Sequence, residues 1–242
     1  MSDLQDILDG LNTANMGDSF VLELGKNKVF PKHFEETLTT PKKERIKEDL
    51  EQQFYLLREI LPEPLQEGFY HLYIAGGAIY SLWNEDVVSD YDFFSDDQGY
   101  LLQLRGYFSQ FVQHESEYVS RGSYKGFKLT ITNNAISIGK WQIITNWWGK
   151  ADDVVEEFDF KHTQSWYDGE LYLTDEDFLS DNMLWYNENR ARDFVGSLLR
   201  VPYFIEKGFH ITKSEMAKII QRLEKQGFSE KDKETLESLL EY

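Results

Sequence analysis

One stretch of the chain, residues 74–94, reads IAGGAIYSLWNEDVVSDYDFF. An apolar segment leads into a glycine pair and a short amphipathic segment, and the stretch ends in an Asp-x-Asp bounded by aromatic residues. Because successive side chains of a strand alternate between its faces, Asp90 and Asp92 are expected to project from the same side. Proteins commonly hold Mg²⁺ with one or two carboxylates together with substrate phosphates. The stretch therefore predicts metal-dependent phosphate chemistry.

The glycine pair supplies the second half of this prediction. Gly76 and Gly77 follow an apolar segment predicted as a strand, residues 70–75, and precede a helical pattern. Without Cβ atoms the backbone can approach a phosphate closely, and the amides that open a helix point at the anion. Ser81 adds a hydroxyl one turn later. We expect Gly76, Gly77 and Ser81 to contact a nucleotide.

Neither half of the pattern is specific alone. A chain with 16 glycines contains about one Gly-Gly pair by chance, and a second Asp-x-Asp lies at Asp175 and Asp177. This second copy follows Thr174 and is typical of a helix N-terminus whose acidic residues complement the helix dipole. The succession of strand, glycine pair, short helix and Asp-x-Asp strand favours the first copy as the metal site.

These residues carry a family resemblance. Residues 74–94 resemble the nucleotidyltransferase superfamily of the DNA polymerase β type, whose pattern is a glycine pair or Gly-Ser, an Asp-x-Asp strand and a third acidic residue on a later strand. Residues 140–211 are similar to a less characterised branch of that superfamily found in bacteriophages and large viruses. The matching segments are Gln-Ile-Ile at 142–144, Phe-Asp-Phe at 158–160, Tyr-Asp-Gly at 167–169 and Lys-Gly-Phe at 207–209.

The resemblance implies roles for individual residues. Gly76 and Gly77 would hold the triphosphate, and Asp90 and Asp92 would bind the Mg²⁺ or Mn²⁺ ions that activate the attacking hydroxyl. By strand order the third acid would fall at Gln142, which is neutral and a poor metal ligand.

Asp159, between two phenylalanines, is therefore the favoured third catalytic and metal-binding acid. The alternative that Asp159 caps a helix or pairs with an arginine stays open.

Several basic residues gather late in an otherwise acidic chain, namely Arg190, Arg192, Arg200 and Lys207. Guanidinium groups bind phosphates in bidentate fashion and lysine ammonium groups bind them as point charges, so Arg200 and Lys207 are predicted to contact the nucleotide or an RNA 3′ end. Pairing of these side chains with acidic neighbours on a helix surface is an equally good interpretation.

Composition limits the remaining function classes. The 242 residues carry a formal net charge of −18 and contain no cysteine, which excludes a disulfide framework and thiolate chemistry. The five histidines lack metal-ligand spacing, and no Walker-type phosphate loop or Gly-x-Ser-x-Gly is present. The charge opposes non-specific DNA binding, and no apolar stretch approaches about 18 residues. We expect a soluble protein of the cytoplasm, the host cytoplasm if the chain is viral, with no membrane partner.

The element pattern predicts an α+β fold: a nucleotidyltransferase-like mixed β-sheet core with flanking helices and a C-terminal helical region. The predicted parts are an N-terminal segment of unclear role at 1–41, the core at 42–173 and the helical region at 174–242. Helices are predicted at 42–61, 101–111, 152–157, 178–187, 191–204, 214–226 and 229–242, with a strand at 158–166 and a hairpin turn at 167–170.

Two functions follow from this interpretation. The first is a metal-dependent nucleotidyltransferase that moves a nucleoside monophosphate from a triphosphate, such as ATP, to an acceptor hydroxyl on a tRNA, another small RNA or a protein. The second is a catalytically degenerate protein of the same fold that acts as an acidic binding module. Convergence of the three acids on one point would favour the enzyme, and a third acid engaged elsewhere would favour the binding module.

Overall fold

A computed structural model of the protein describes residues 32–116, 118–191, 193–230, 232–233 and 236–237. Contacts between Cα atoms divide the chain into two compact units, Met1–Glu44 and Arg45–Tyr242. Most of the predicted segment 1–41, and much of the helix predicted at 229–242, lie outside the described residues. The predicted boundary at residue 174 falls within the second unit, and the division there stays a prediction.

The second unit contains a nine-stranded mixed sheet in the order β3-β4-β5-β6-β7-β2-β1-β8-β9. Strands β2 and β7 run parallel, and the other described neighbours pair antiparallel. The strands are β1 (Leu72–Ala75), β2 (Tyr91–Ser95), β3 (Val112–Glu115), β4 (Val119–Tyr124), β5 (Phe127–Thr132), β6 (Ala135–Ile138), β7 (Trp141–Ile144), β8 (Trp166–Tyr167) and β9 (Leu171–Tyr172).

Helices lie between and after these strands. They are α1 (Lys32–Ile60), α2 (Glu63–Gln66), α3 (Gly77–Trp83), α4 (Gln98–Ser109), α5 (Ala151–Glu156), α6 (Glu176–Ser180), α7 (Phe194–Glu206) and α8 (Lys213–Gln226), with 3-10 turns at Glu67–His71 and Lys161–Thr163.

Helix α1 shows why the periodic pattern predicted it. Ile46, Leu50 and Leu57 recur at helical spacing and are at most 2% exposed. Phe54 lies on the same stripe and packs edge to face on Phe93 of β2, with 5.2 Å between ring centroids. Burial of this stripe fixes the second half of the helix against the sheet.

The sheet has two different faces. Leu72 and Ile74 of β1 enter the main core, whereas Tyr73 and Ala75 belong to a second apolar cluster on the opposite face. In β2, Phe93 lies in the main core and Phe94 in the second cluster. Alternation therefore puts Asp92 on the face of Phe94, away from the main core.

The strand predicted at 158–166 is wrong. The structure has an isolated bridge from Phe160 to Tyr186 and the 3-10 turn, and a strand begins only at Trp166. Phe158 packs on Phe94 while Phe160 packs on Phe204, so the alternating aromatics serve two separate clusters rather than one sheet face.

Three helices also differ from their predictions. Helix α1 begins at Lys32, ahead of the predicted start at residue 42. Helix α6 ends at Ser180 instead of continuing to residue 187, because the chain turns extended at Asp181 and then bonds to the segment around His210. Helix α7 begins at Phe194, after a left-handed Asp193 at its N-cap. The predicted helix start at Asp175 is confirmed, since its side chain accepts a hydrogen bond from the backbone N–H of Asp177.

The α+β fold class with a mixed sheet, flanking helices and a helical C-terminal region is confirmed. The hairpin predicted at 167–170 is observed as the β8–β9 turn. Within the described part of the chain, no helix has the length and apolar character needed to cross a membrane.

Candidate functional site

A cavity of about 620 Å³ lies over the second face of the sheet. Its size falls within the range of small-molecule sites. It is lined by most of the predicted site residues, namely Gly76, Gly77, Asp90, Asp92, Gln142, Asp159 and Arg200. The fold thus gathers positions that are up to 124 residues apart around one space.

The acidic side of the cavity is built by two parallel strands. Asp90 immediately precedes β2, Asp92 lies within it, and Gln142 of β7 is the register partner of Asp92. The Gln142 side-chain amide donates a hydrogen bond of 2.7 Å to Oδ2 of Asp90. Gln142 therefore touches the acid pair directly, and its amide N–H occupies one carboxylate oxygen.

The surroundings of Asp92 disfavour the ionised form of its carboxyl group beside the charged Asp90. Burial and the negative charge of Asp90 raise the pKa of Asp92 from 3.8 to about 7, and Lys207 partly opposes this rise. A carboxylate pair of this kind attracts a cation, because a positive charge removes the repulsion. The acid pair is thus a candidate cation site with two carboxylates.

The glycine edge lies beside the acid pair. Gly76 has a φ of 95°, in the region that favours glycine, and donates its N–H to the Ser165 carbonyl. A Cβ built on Gly77 would meet no atom within 4 Å, so the backbone there borders open space. A ligand can approach this edge closely.

A further part of the cavity lining, which we call the arginine wall, is formed by Asp159, Arg190, Asp193 and Arg200. Nε of Arg200 donates to Oδ2 of Asp159 at 2.5 Å, and Nη2 of Arg200 donates to Asp193 at 3.2 Å. Nη2 of Arg190, which is 4% exposed, donates to the same Asp193 oxygen at 2.9 Å. Asp159 thus adopts the arginine pairing that the sequence left open, although it lines the cavity.

Asp193 accepts hydrogen bonds from both arginines of this wall. It adopts a left-handed conformation with a φ of 55°, and its carboxylate lies over the first turn of α7. A Cβ on Gly196 would come within 2.2 Å of that carboxylate. The turn therefore needs a glycine at 196 for Asp193 to hold both arginines.

Two predicted residues lie outside the cavity lining, and their roles stay predictions. Ser81 follows on α3 but does not line the cavity. Lys207 places its ammonium over the Tyr203 ring, 4.4 Å from the centroid, and Tyr203 does line it. In the part of the chain that the structure describes, no group of three or more His, Cys, Asp or Glu is placed to hold a metal.

Several cavity residues were not predicted as members of the site, and among the polar ones and glycines these include Asn134, Asn146, Asp193 and Gly196. Asn134 lies in the turn between β5 and β6 and belongs to no sequence motif. The glycine at 196, inside a helical pattern, is the one signal that could have pointed to a close approach there.

An α+β protein with a mixed sheet and a paired-carboxylate cavity is the class that this fold and site define. Within that class, the chain belongs to the Gabija anti-defense 2 family (Gad2), whose family model matches residues 47–184. The predicted resemblance to a branch from phages and large viruses stays a prediction.

Several solved structures are similar to this chain at low identity. The Thermotoga maritima CCA-adding enzyme complexed with tRNA is 13% identical over 73% of this chain and 45% of that chain, with a TM-score of 0.39. The Bacillus stearothermophilus CCA-adding enzyme in complex with CTP is 14% identical over 62% of this chain and 38% of that chain, with a TM-score of 0.41. The chain spans less than half the length of these proteins. No curated protein matches the sequence.

Proposed function

We propose that the protein is a metal-dependent nucleotidyltransferase that moves a nucleoside monophosphate from a nucleoside triphosphate to an acceptor hydroxyl. One observation carries this proposal: the acid pair, the glycine edge and the arginine wall border one cavity. Carboxylates for a cation and guanidinium groups for phosphates, lining one cavity, match the needs of phosphoryl transfer.

The residues present fit a divalent cation. Asp90 and Asp92 offer hard oxygen ligands, and Mg²⁺ commonly takes one or two carboxylates with its remaining positions filled by water and substrate phosphates. Burial, and then the negative charge of Asp90, raise the pKa of Asp92, and Lys207 opposes this rise only in part. A bound Mg²⁺ or Mn²⁺ would neutralise charge on the phosphates and on the attacking oxygen.

The chain's own groups have distinct roles in this proposal. Gly76 and Gly77 border the triphosphate, because the backbone is open there. Arg200 binds phosphate oxygens, and Lys207 adds positive charge at the cavity edge. Asp159 is proposed as the third acid, and in the described geometry it holds Arg200 in place.

The biological role proposed for this activity follows from the family. Membership in the Gabija anti-defense 2 family supports a role against a defence system. In this proposal, nucleotidyl transfer to an acceptor is the means by which the protein acts, and the acidic surface keeps non-specific polyanions away.

A second candidate function is a catalytically degenerate binding protein. It is favoured by Gln142, whose neutral amide bonds to Asp90, and by Asp159, whose carboxylate pairs with Arg200. Among the described acids that line the cavity, Asp159 and Asp193 pair with arginines, so Asp90 and Asp92 alone would have to hold a second metal ion, and it would be weakly held.

The experiment that separates the two functions is transfer of label. Purified protein is incubated with each α-labelled nucleoside triphosphate, Mg²⁺ or Mn²⁺, and a cell lysate. The enzyme transfers label, and the Asp90→Ala/Asp92→Ala variant does not, while Asp86→Ala, an exposed acid outside the cavity, keeps activity. Absence of transfer by the wild type, together with absence of metal-dependent nucleotide binding, would favour the binding protein.

A further inference from the structure

The cavity has an uncharged side whose composition bears on the acceptor. Five lining residues come from the β5–β6 turn, from β7 and from the loop that follows it: Asn134, Gln142, Ile144, Asn146 and Trp147. They are amides, an aliphatic side chain and an indole. This acceptor wall, as we call these five residues, lies across β2 from the glycine edge, because the strand order is β7-β2-β1.

The geometry of in-line displacement places the leaving pyrophosphate and the attacking hydroxyl on different sides of the cavity. In phosphoryl transfer the attacking and leaving oxygens lie on opposite sides of the phosphorus. If the α-phosphorus lies above the acid pair of β2 and the leaving pyrophosphate borders the glycine edge next to β1, the attacking hydroxyl must arrive from the β7 side. Neighbouring strands are about 4.8 Å apart, so the three positions follow one another across the sheet at a suitable scale.

The acceptor wall is held rigidly in place. Nδ2 of Asn146 donates to Oδ1 of Asn134 at 2.7 Å, and the backbone N–H of Thr145 donates to the Asn134 carbonyl at 2.8 Å. Arg105 of α4 donates to the carbonyls of Thr132 and Asn133 from behind. The exposed amide pair is therefore positioned before any ligand arrives.

The chemistry of the amide pair matches a peptide backbone. The bond between the two amides leaves an N–H donor on Asn134 and a carbonyl acceptor on Asn146, and exchanging the two amide orientations still leaves one donor and one acceptor. A peptide unit offers one carbonyl and one N–H. A nucleic acid strand also has base edges with donors and acceptors, but it carries phosphates, which are neutralised by Lys or Arg.

Charge argues in the same direction. The acceptor wall contains no Lys or Arg, and the cavity-lining arginines, Arg190 and Arg200, lie elsewhere in the lining beside Asp159 and Asp193. The whole chain carries a formal net charge of −18. A polyanionic acceptor would have to approach an acidic protein along an uncharged wall, whereas a polypeptide would not meet this barrier.

We infer that the acceptor is a hydroxyl group on a Ser, Thr or Tyr of a polypeptide, whose backbone is held by the Asn134–Asn146 amide pair. This inference rests on the proposed function. The side-chain oxygen forms a bond to the α-phosphorus, and the bond from that phosphorus to the bridging oxygen breaks. Pyrophosphate leaves with the electron pair, and the hydroxyl proton passes to solvent water.

The test offers two acceptor fractions to the full-length protein with α-labelled nucleoside triphosphates and Mg²⁺. One is the protein fraction of a nuclease-treated cell lysate, and the other is deproteinised total RNA. We expect label that resists ribonuclease and is released by protease. Replacing both amides, Asn134→Ala/Asn146→Ala, is expected to lower this transfer by about tenfold, because two hydrogen bonds to the acceptor are lost.

Controls keep the outcomes separable. Asn133→Ala makes the same change next to the cavity but outside its lining, and it should transfer label normally. Calorimetry should show unchanged nucleotide binding in the double variant. Label in the RNA fraction, label in neither fraction, or equal transfer by the double variant would overturn the inference. Absence of Mg²⁺-dependent nucleotide binding by the wild type would instead overturn the proposed function.

Discussion

Replacing Asp92 by Asn should stabilise the metal-free protein at neutral and alkaline pH. The pKa of Asp92 is raised from 3.8 to about 7 by burial and by Asp90. Between these values the folded state binds more protons than the unfolded state, so its stability falls as pH rises from about 4 to 7. The difference between the two pKa values corresponds to a loss of at most about 4 kcal/mol in the free energy of unfolding. Since Asp92 retains some exposure, we expect a gain of about 2 kcal/mol at pH 8.

The assay is urea unfolding of wild type and Asp92→Asn in EDTA, at pH 5 and pH 8. Comparing the two proteins at each pH cancels other titrating groups. A gain of about 2 kcal/mol would raise the midpoint of thermal unfolding by about 4–8 °C in a chain of this size. Asp86→Asn makes the same change at an exposed position and should leave stability within about 0.5 kcal/mol. A variant that is less stable than wild type at pH 8, or a gain that does not grow from pH 5 to pH 8, would refute the reasoning.

Three further predictions concern stability. Gly76→Ala should cost about 1–2 kcal/mol in urea unfolding because of the positive φ, whereas Gly77→Ala, whose Cβ meets open space, should be nearly neutral. Gly196→Ala should push away the Asp193 carboxylate, lowering stability by about 1–3 kcal/mol and weakening nucleotide binding measured by calorimetry. Burial lowers the pKa of His162 to about 4, so the stability that the neutral imidazole contributes is lost as pH falls from about 6.5 to 4. In His162→Phe, the midpoint of thermal unfolding should therefore depend less on pH across that range. A pH profile of the midpoint equal to that of the wild type would contradict this prediction.

The acid pair and the glycine edge could be predicted because they lie within one short stretch of sequence. Strand alternation alone placed Asp90 and Asp92 on one face, and the change from an apolar segment to a helical pattern located Gly76 and Gly77. The sheet then brought these groups together by pairing β1 with β2. Local patterns are informative here because the relevant contacts are also local.

The arginine wall could not be predicted with the same reliability. Asp159, Asp193 and Arg200 meet through side chains on a loop, a helix cap and a helix, and neither spacing nor periodicity specifies that meeting. The segment 158–166 alternates like a strand, but its aromatic side chains fill two clusters, so tertiary packing overrides the pattern.

The acceptor wall was missed for a related reason. Neither Asn134 nor Asn146 belongs to a motif that predicts a site. Only the β6–β7 pairing, which sets Ala135 beside Ile144, brings the two amides within hydrogen-bonding distance. A side-chain contact that depends on the register of two strands cannot be predicted until that register is known.

The central claim is that Asp90 and Asp92 hold a cation that binds nucleotide in this cavity. Calorimetric titration of a nucleoside triphosphate into the full-length protein, with Mg²⁺ or with EDTA, tests it most directly. We predict binding that requires Mg²⁺, is abolished in Asp90→Asn/Asp92→Asn and is retained in Asp86→Asn. Binding that persists in EDTA, or that the double variant retains unchanged, would contradict the claim.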